Sequence, residues 1–263
     1  MTAGLVAPPD GRVDGVAFSV VGSGAPVTVF AHGIAGSAAE TRPLAGRTAG
    51  TRVLLDLRGH GASDALPGGW DYDDYATDLL AVADHVGATR AVGLSLGAGA
   101  LLRLLTRQAD RFAAVSFVLP AALDEVRDAV SAPRLAALGA AMEARDGAEV
   151  ERLLLAEVPG DIRARAGVRL LVGRRAAQLT ARPPCHPRTG IPPLVPPWSL
   201  AAVTAPALVI GQAGDELHPL HVAERLAGEL PTGRLLALPA GGVFWTAHRQ
   251  VQDALATHLQ EAP

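Results

Sequence analysis

A serine becomes a useful nucleophile when a base can take its hydroxyl proton and when the backbone lifts it clear of its neighbours. One serine in this chain stands in a pattern that does the second. The short apolar run Arg90-Ala91-Val92 enters Gly93-Leu94-Ser95-Leu96-Gly97, and from Ala98 onward Ala100, Leu101, Leu102, Leu104 and Leu105 recur as they do in a helix. A serine on a tight strand-to-helix turn is a nucleophile elbow, in which Gly93 and Gly97 remove the Cβ atoms that would collide where strand and helix pass closely. Ser95 is then expected to point its hydroxyl off the sheet, into the cleft above. In a chain with 29 glycines the pentapeptide means little by itself, and it is the strand before and the helix after that give it weight.

The chain has 263 residues and is 49% hydrophobic, enough to bury a full core as one domain or as a core with an inserted subdomain. A net charge of −3 and a pI near 6.2 give no electrostatic basis for a nucleic-acid or anionic-membrane partner. Every basic side chain other than histidine is arginine, so lysine-based covalent chemistry is excluded. Cys185 is the only cysteine, which excludes an intramolecular disulfide and a cysteine-rich metal site; it reads as a packing residue. Residues 1–13 lack the long apolar core of a secretory signal, and no segment approaches the ~20 apolar residues of a membrane helix. These features predict a soluble, cytoplasmic protein that needs no cofactor or metal and meets a small-molecule substrate.

The elements that must position Ser95 follow from periodicity. Strands are predicted at Val16–Val21, Val27–Ala31, Arg52–Leu57, around Ala91, at Ala114–Leu119, Ala207–Gly211 and Arg234–Leu238. Helices are predicted near Glu40–Thr48, over Tyr75–Val86, after Ala98, over Leu220–Leu230 and over Thr246–Leu259, with Thr246 as an N-cap. Such alternation argues for an α/β fold: a mostly parallel, doubly wound sheet with helices on both sides. The alternation stops at Pro120. From Ala121 to Leu179 the pattern is helical without a strand, and Pro183, Pro184, Pro187, Pro192, Pro193, Pro196 and Pro197 make a stiff connector. The expected organisation is therefore a core of residues 1–120 and 200–263, with residues 121–199 as a helical insertion and its proline-rich connector.

Four stretches in chain order resemble the α/β-hydrolase fold family: the His32-Gly33 loop, Asp56-x-Arg58-Gly59-His60-Gly61-x-Ser63, the elbow at Ser95, and the strand-loop from Gly211 to Pro219 containing Asp215. Within that family the chain looks like lid-bearing esterases, lactonases and related carbon-bond hydrolases, the lid being Ala121 to Ser199. The resemblance implies a serine hydrolase of a small ester, lactone or related acyl substrate. It implies backbone N–H donors at Ile34 and Leu96 as an oxyanion hole, which leaves those side chains to shape an apolar pocket. It also implies that His32 and His60 brace loops, with Asp56, Arg58 and Asp64 holding the same region.

For the triad acid the resemblance points to Asp215, followed by Glu216-Leu217-His218-Pro219, with Glu216 as a neighbour and Asp124 as the fallback. The family's histidine position after the last strand is occupied by Val243, and valine cannot transfer a proton. The expected base is then His248, five residues on and displaced, with Gly241-Gly242 able to reroute the loop. His218 and His221 sit beside the acid loop, and His85, His186 and His258 have no motif around them. Val243 also keeps open a non-hydrolytic member of the fold, a biosynthetic cyclase or lyase or a small-molecule binding protein with an incomplete triad. Leu135, Leu138, Met142, Leu153, Leu154, Leu155, Leu170 and Leu171 suggest a partly hydrophobic substrate under a movable cover, or simple packing of the insertion on the core.

Overall fold

The structure, a computed structural model, describes residues 10–125, 131–181, 192–240 and 242–261. The expectations for the N-terminal segment before Asp10, for Cys185 and for the first prolines of the connector fall outside these residues.

Among the described residues eight strands form one sheet: β1 (Gly11–Val13), β2 (Val16–Val21), β3 (Val27–Ala31), β4 (Thr51–Leu55), β5 (Arg90–Leu94), β6 (Ala114–Val118), β7 (Ala207–Gln212) and β8 (Gly233–Leu238). Their order across the sheet is β1-β2-β4-β3-β5-β6-β7-β8. The pairings β1–β2 and β2–β4 are antiparallel and the others parallel, so the chain has the α/β fold expected of its alternation. β5, β6 and β7 are buried at every position, because helices cover both of their faces. One face packs on α2 (Tyr72–His85), α3 (Leu96–Leu105) and α7 (Leu220–Glu229), with Tyr75, Leu79, Leu101 and Leu226 wholly inside. The other packs on α8 (His248–Glu261) and a 3-10 turn at Leu44–Arg47, through Leu44, Val251, Leu255 and Leu259.

Three local differences from the periodicity have physical causes. The helix expected near Glu40 to Thr48 is split into α1 (Ala38–Thr41) and the 3-10 turn, and Pro43, which cannot donate a backbone hydrogen bond, stands between them. The closing helix starts at His248, not at an N-cap Thr246. A π-helical turn over Gly242–Thr246 takes up the preceding residues and buries Val243 beneath the sheet. Between β6 and β7 lie α4 (Ser131–Glu143), α5 (Gly147–Ala156) and α6 (Ala166–Thr180), with small apolar clusters of their own around Val150 and Val158. There Met142 and Leu155 are buried, but Leu170 and Leu171 are each 56% exposed, so those two leucines neither pack the insertion nor cover a pocket.

The centre of the sheet is where backbone comes closest to backbone. A Cβ at Gly93 would stand 2.4 Å from the Gly97 carbonyl oxygen, and one at Gly97 would stand 2.4 Å from that of Ala31. Neither carbonyl can give way without moving β3, β5 or α3. Gly93→Ala should therefore lower the unfolding free energy by about 2 kcal/mol, the middle of the range for overpacking. Urea unfolding checks this; a loss under about 0.5 kcal/mol, the range of an ordinary surface change, would show that the turn has room to spare.

Candidate active site

Ser95 sits between β5 and α3 with φ 49° and ψ −104°, a left-handed conformation that a non-glycine residue adopts only when its surroundings enforce it. The enforcement is visible in the hydrogen bonds around it. Ser95 N–H donates to the Val118 carbonyl at 2.9 Å, Gly97 N–H to that of His32 at 3.0 Å, and Gly99 N–H to that of Ser95 at 3.1 Å. The turn is thereby tied to β6, to the loop after β3 and to its own helix. Ser95 is 8% exposed, a nearly buried hydroxyl.

The partner of that hydroxyl is His218. Its Nε2 lies 2.9 Å from Ser95 Oγ, and its Nδ1 lies 3.1 Å from Asp215 Oδ2. The other carboxylate oxygen of Asp215 accepts the backbone N–H groups of Leu217 and His218, both at 3.0 Å. Burial works against the Asp215 anion, but the hydrogen bonds from the His218 ring and from these two N–H groups outweigh it and hold the carboxyl below its ordinary range. A carboxylate so placed favours the tautomer with its proton on Nδ1, which leaves Nε2 free to accept from the serine.

His248 is not joined to this chain. It is the first residue of α8, its Nδ1 is buried without a hydrogen-bond partner, and among the described residues it makes no hydrogen bond to Ser95 or Asp215. The π-helical turn that buries Val243 leads directly into α8 and does not carry the helix start to the serine. The structure therefore puts His218 where the sequence analysis put His248. The signal was present in Asp215-x-x-His218: a three-residue spacing at the end of a strand lets one turn hold the carboxylate and the imidazole together. The family resemblance points instead to the loop after the last strand.

The loop after β3 brings Gly33 against the serine; a Cβ at Gly33 would lie 3.5 Å from Ser95 Cβ. Gly33 N–H donates to Glu40 Oε2 at 3.0 Å and Ala35 N–H to His60 Nε2 at 3.2 Å, while the intervening Ile34 N–H has no such partner among the described residues. Leu96 N–H is the first of α3, and the first N–H groups of a helix have no intrahelical acceptor. The two backbone donors named from the resemblance thus lie on the two segments that meet at Ser95.

Below the loop two histidines act as braces. His32 takes the Leu57 N–H on Nε2 at 3.0 Å and contacts the Gly33 carbonyl through Nδ1 at 2.7 Å, and the Nδ1 of His60 contacts the Arg58 carbonyl at 3.1 Å. Asp56 accepts Ala38 N–H at 2.6 Å and Ala62 N–H at 2.8 Å, and Arg58 pairs with buried Asp78 at 2.6 Å. Asp64 pairs with Arg12 at the edge of the sheet. Asp124 is engaged elsewhere, accepting from Arg225 at 2.6 and 2.8 Å and from Trp198 Nε1 at 3.0 Å. Glu216 turns away from Asp215 to pair with Arg134 of α4.

Beside the acid loop is a cavity of about 250 Å³ lined by Leu135, Leu138, Leu153, Ala156 and Leu217, with Arg134, Arg152 and Glu157 among them. Leu217, which directly precedes His218 in the chain, is the residue of the acid loop that lines it. Glu157 keeps one flank on solvent, yet the packing around its carboxyl pushes its pKa up; nearby His218 opposes that rise and Asp215 adds to it. Among the described residues no group of three or more histidine, cysteine or acidic side chains is placed to hold a metal ion, and no helix is long and apolar enough to cross a membrane.

A model of the Alpha/beta hydrolase family matches residues 28–256. This chain belongs to the alpha/beta hydrolase family. Among its relatives is a protein of Mycobacterium phage D29, provisionally named a non-heme haloperoxidase. It is 35% identical over 128 residues, which are 47% of this chain and 46% of the phage protein, so the chain aligns with about half of that relative. A Synechocystis protein provisionally named a non-heme chloroperoxidase is 27% identical over 266 aligned residues, 91% of this alpha/beta hydrolase and 93% of its own length. A thermophilic esterase from Thermogutta terrifontis superposes with a TM-score of 0.69 over 94% of this chain and 93% of its own, at 20% identity, a likeness of fold.

The braces of this alpha/beta hydrolase carry a pH signature. Burial lowers the pKa of His32 to about 4, and burial followed by the charge of His32 lowers that of His60 to about 3, from 6.5 for both. Below pH 6.5 the unfolded chain binds protons that the folded chain refuses, so stability is full above that pH. It falls as pH drops, until the folded-state histidines themselves protonate near 4 and 3. The expected slope is on the order of 1 kcal/mol per pH unit for each histidine. Urea unfolding at pH 7, 6 and 5 measures it, and a flat profile over that range would mean that these histidines titrate as freely folded as unfolded.

Proposed function

We propose that this chain is a serine hydrolase of small ester, lactone or related acyl substrates, with Ser95 as nucleophile, His218 as general base and Asp215 as the carboxylate that orients it. The observation that carries this reading is the unbroken chain from Ser95 Oγ to His218 Nε2 and from His218 Nδ1 to Asp215 Oδ2, at 2.9 and 3.1 Å. As Ser95 Oγ attacks the acyl carbon, its proton passes to His218 Nε2, and the imidazolium so formed is stabilised by Asp215. The carbonyl oxygen, becoming an anion, is received by the N–H groups of Ile34 and Leu96. A donor of that kind is typically worth about 3 kcal/mol of transition-state stabilisation. His218 then returns the proton to the leaving oxygen, the acyl group stays on Ser95, and a water deprotonated by the same histidine releases it.

Residues 131–181 act in this reading as a cover, and the cavity beside Leu217 takes the apolar part of the acyl or leaving group, with Leu135, Leu138 and Leu153 as its wall. The esterase name of the Thermogutta relative is consistent with such a substrate. The non-hydrolytic alternative draws its support from Val243, whereas the His218 Nε2–Ser95 Oγ contact at 2.9 Å supports the hydrolytic reading.

Three variants and one probe test the proposal. A fluorophosphonate should add one phosphonyl group to folded wild-type protein and none to Ser95→Ala, read by intact mass. On p-nitrophenyl butyrate, Ser95→Ala should fall to background and His218→Ala should lose at least ~100-fold in kcat, the lower end of what loss of a general base costs. His248→Ala should stay within about threefold of wild type. Full activity in His218→Ala, or a His248→Ala variant as slow as expected for His218→Ala, would return the base to the loop after the last strand.

A further inference from the structure

The Gly33 N–H group, next to the proposed oxyanion donor Ile34, is held by a charged group. Its acceptor is the Glu40 carboxylate, reached from α1 across Gly36, where any Cβ would lie 2.2 Å from Glu40 Oε2. This bond sets the direction of the loop and leaves the following N–H, that of Ile34, unclaimed. It also has an electrostatic drawback: a fixed negative charge stands one peptide from the point where an oxyanion is to form, in a site shielded from water where such charges act strongly.

The other oxygen of that carboxylate faces a cation from a distant part of the chain. Arg175, in α6 of the insertion, places Nη2 3.4 Å from Glu40 Oε1. The two side chains are 24% and 23% exposed, so the pair is screened less than a surface bridge. The Arg175 charge also reaches the loop braces, where it helps keep His32 and His60 unprotonated. Among the other ion pairs that tie the insertion to the core, Arg134 with Glu216 lands beside the acid, and Asp124 with Arg225 lands on α7.

We propose that Glu40 and Arg175 are positioning residues that work as one device: Glu40 aims the oxyanion loop through Gly33 N–H, and Arg175 neutralises the carboxylate so that it does not oppose the oxyanion. Seating of α6 on the core is thereby required for the full rate of the chemical step, which couples the insertion to the oxyanion hole and not only to substrate entry. This rests on the serine-hydrolase reading for its catalytic half and on the loop geometry alone for its positioning half.

A double-mutant cycle distinguishes the device from an ordinary ion pair. Arg175→Met strands the Glu40 charge and should lower kcat on p-nitrophenyl butyrate about tenfold or more with KM changed less than about twofold. Glu40→Gln keeps an oxygen for Gly33 N–H and should cost about threefold. The double variant Glu40→Gln/Arg175→Met should be faster than Arg175→Met alone, approaching Glu40→Gln, because the charge that needed neutralising has gone. A merely structural bridge gives the opposite order, with the double variant no faster than Arg175→Met, and that order, or an unchanged kcat in Arg175→Met, overturns the inference. The recovery also guards against misfolding, since a variant that fails to fold is not restored by a second substitution in the same pair.

Amide hydrogen exchange of peptides covering residues 32–36 reads the positioning half without any substrate. Exchange there should rise in Glu40→Ala and, to a lesser extent, in Arg175→Met, and remain near wild type in Glu40→Gln. Unchanged exchange in Glu40→Ala overturns the positioning role even if the enzyme is active. Absent ester turnover and absent phosphonylation in the wild type would instead overturn the serine-hydrolase reading and the catalytic half with it, leaving the loop contact to be judged by exchange.

Discussion

The tight passage of chain at Ser95 is the constraint on which the rest of the structure depends. A residue with φ 49° is unfavourable unless its flanks are fixed, and here they are fixed by hydrogen bonds to β6 and to the loop after β3, and by two glycines against which no Cβ would fit. Because parallel strands buried on both faces supply those flanks, the serine stands at the rim of the fully buried centre of the sheet. What reaches it does so from loops at the carboxyl ends of β3, β6 and β7.

In the proposed triad the acid and the base share a single turn. Asp215 binds two backbone N–H groups with one oxygen and the His218 ring with the other, so the carboxylate serves at once as a turn-forming residue and as the orienting group for the imidazole. This arrangement frees the loop after β8 from any role at the serine. It lets Val243, buried at 1% exposure, join the apolar layer beneath the sheet with Leu238 and Val251, where a histidine would have left polar nitrogens to satisfy.

Charge around the site is arranged by pairing. The loops below the serine are built on neutral, buried histidines and on carboxylates that accept backbone N–H groups, a network in which nearly every polar atom has a partner. The insertion contributes arginines to the two acidic side chains that flank the site, Glu40 and Glu216, so the helices between β6 and β7 bear on its electrostatics.

Much of this was legible in residue order. Alternating apolar runs and helical periodicities determine the α/β class, the break at Pro120 marks where the helices between β6 and β7 begin, and Gly-x-Ser-x-Gly between a strand and a helix places Ser95 on a tight turn, because each rests on local sterics or on a period that the sequence displays directly. Asp215 was legible for a similar reason, as an acidic residue in a turn leaving a buried strand. Which histidine meets the serine was not. His218 and His248 are both histidines near the start of a helix after a parallel strand, and although the Asp215-x-x-His218 spacing lets one turn hold acid and imidazole together, it does not say whether that turn reaches Ser95. The choice depends on how far each strand end lies from Ser95 across the sheet: β7 stands two strands from β5 and β8 three. The bond between Arg175 and Glu40 spans 135 positions in the chain, and only the folding of α6 onto the loop after β3 brings those two charges together.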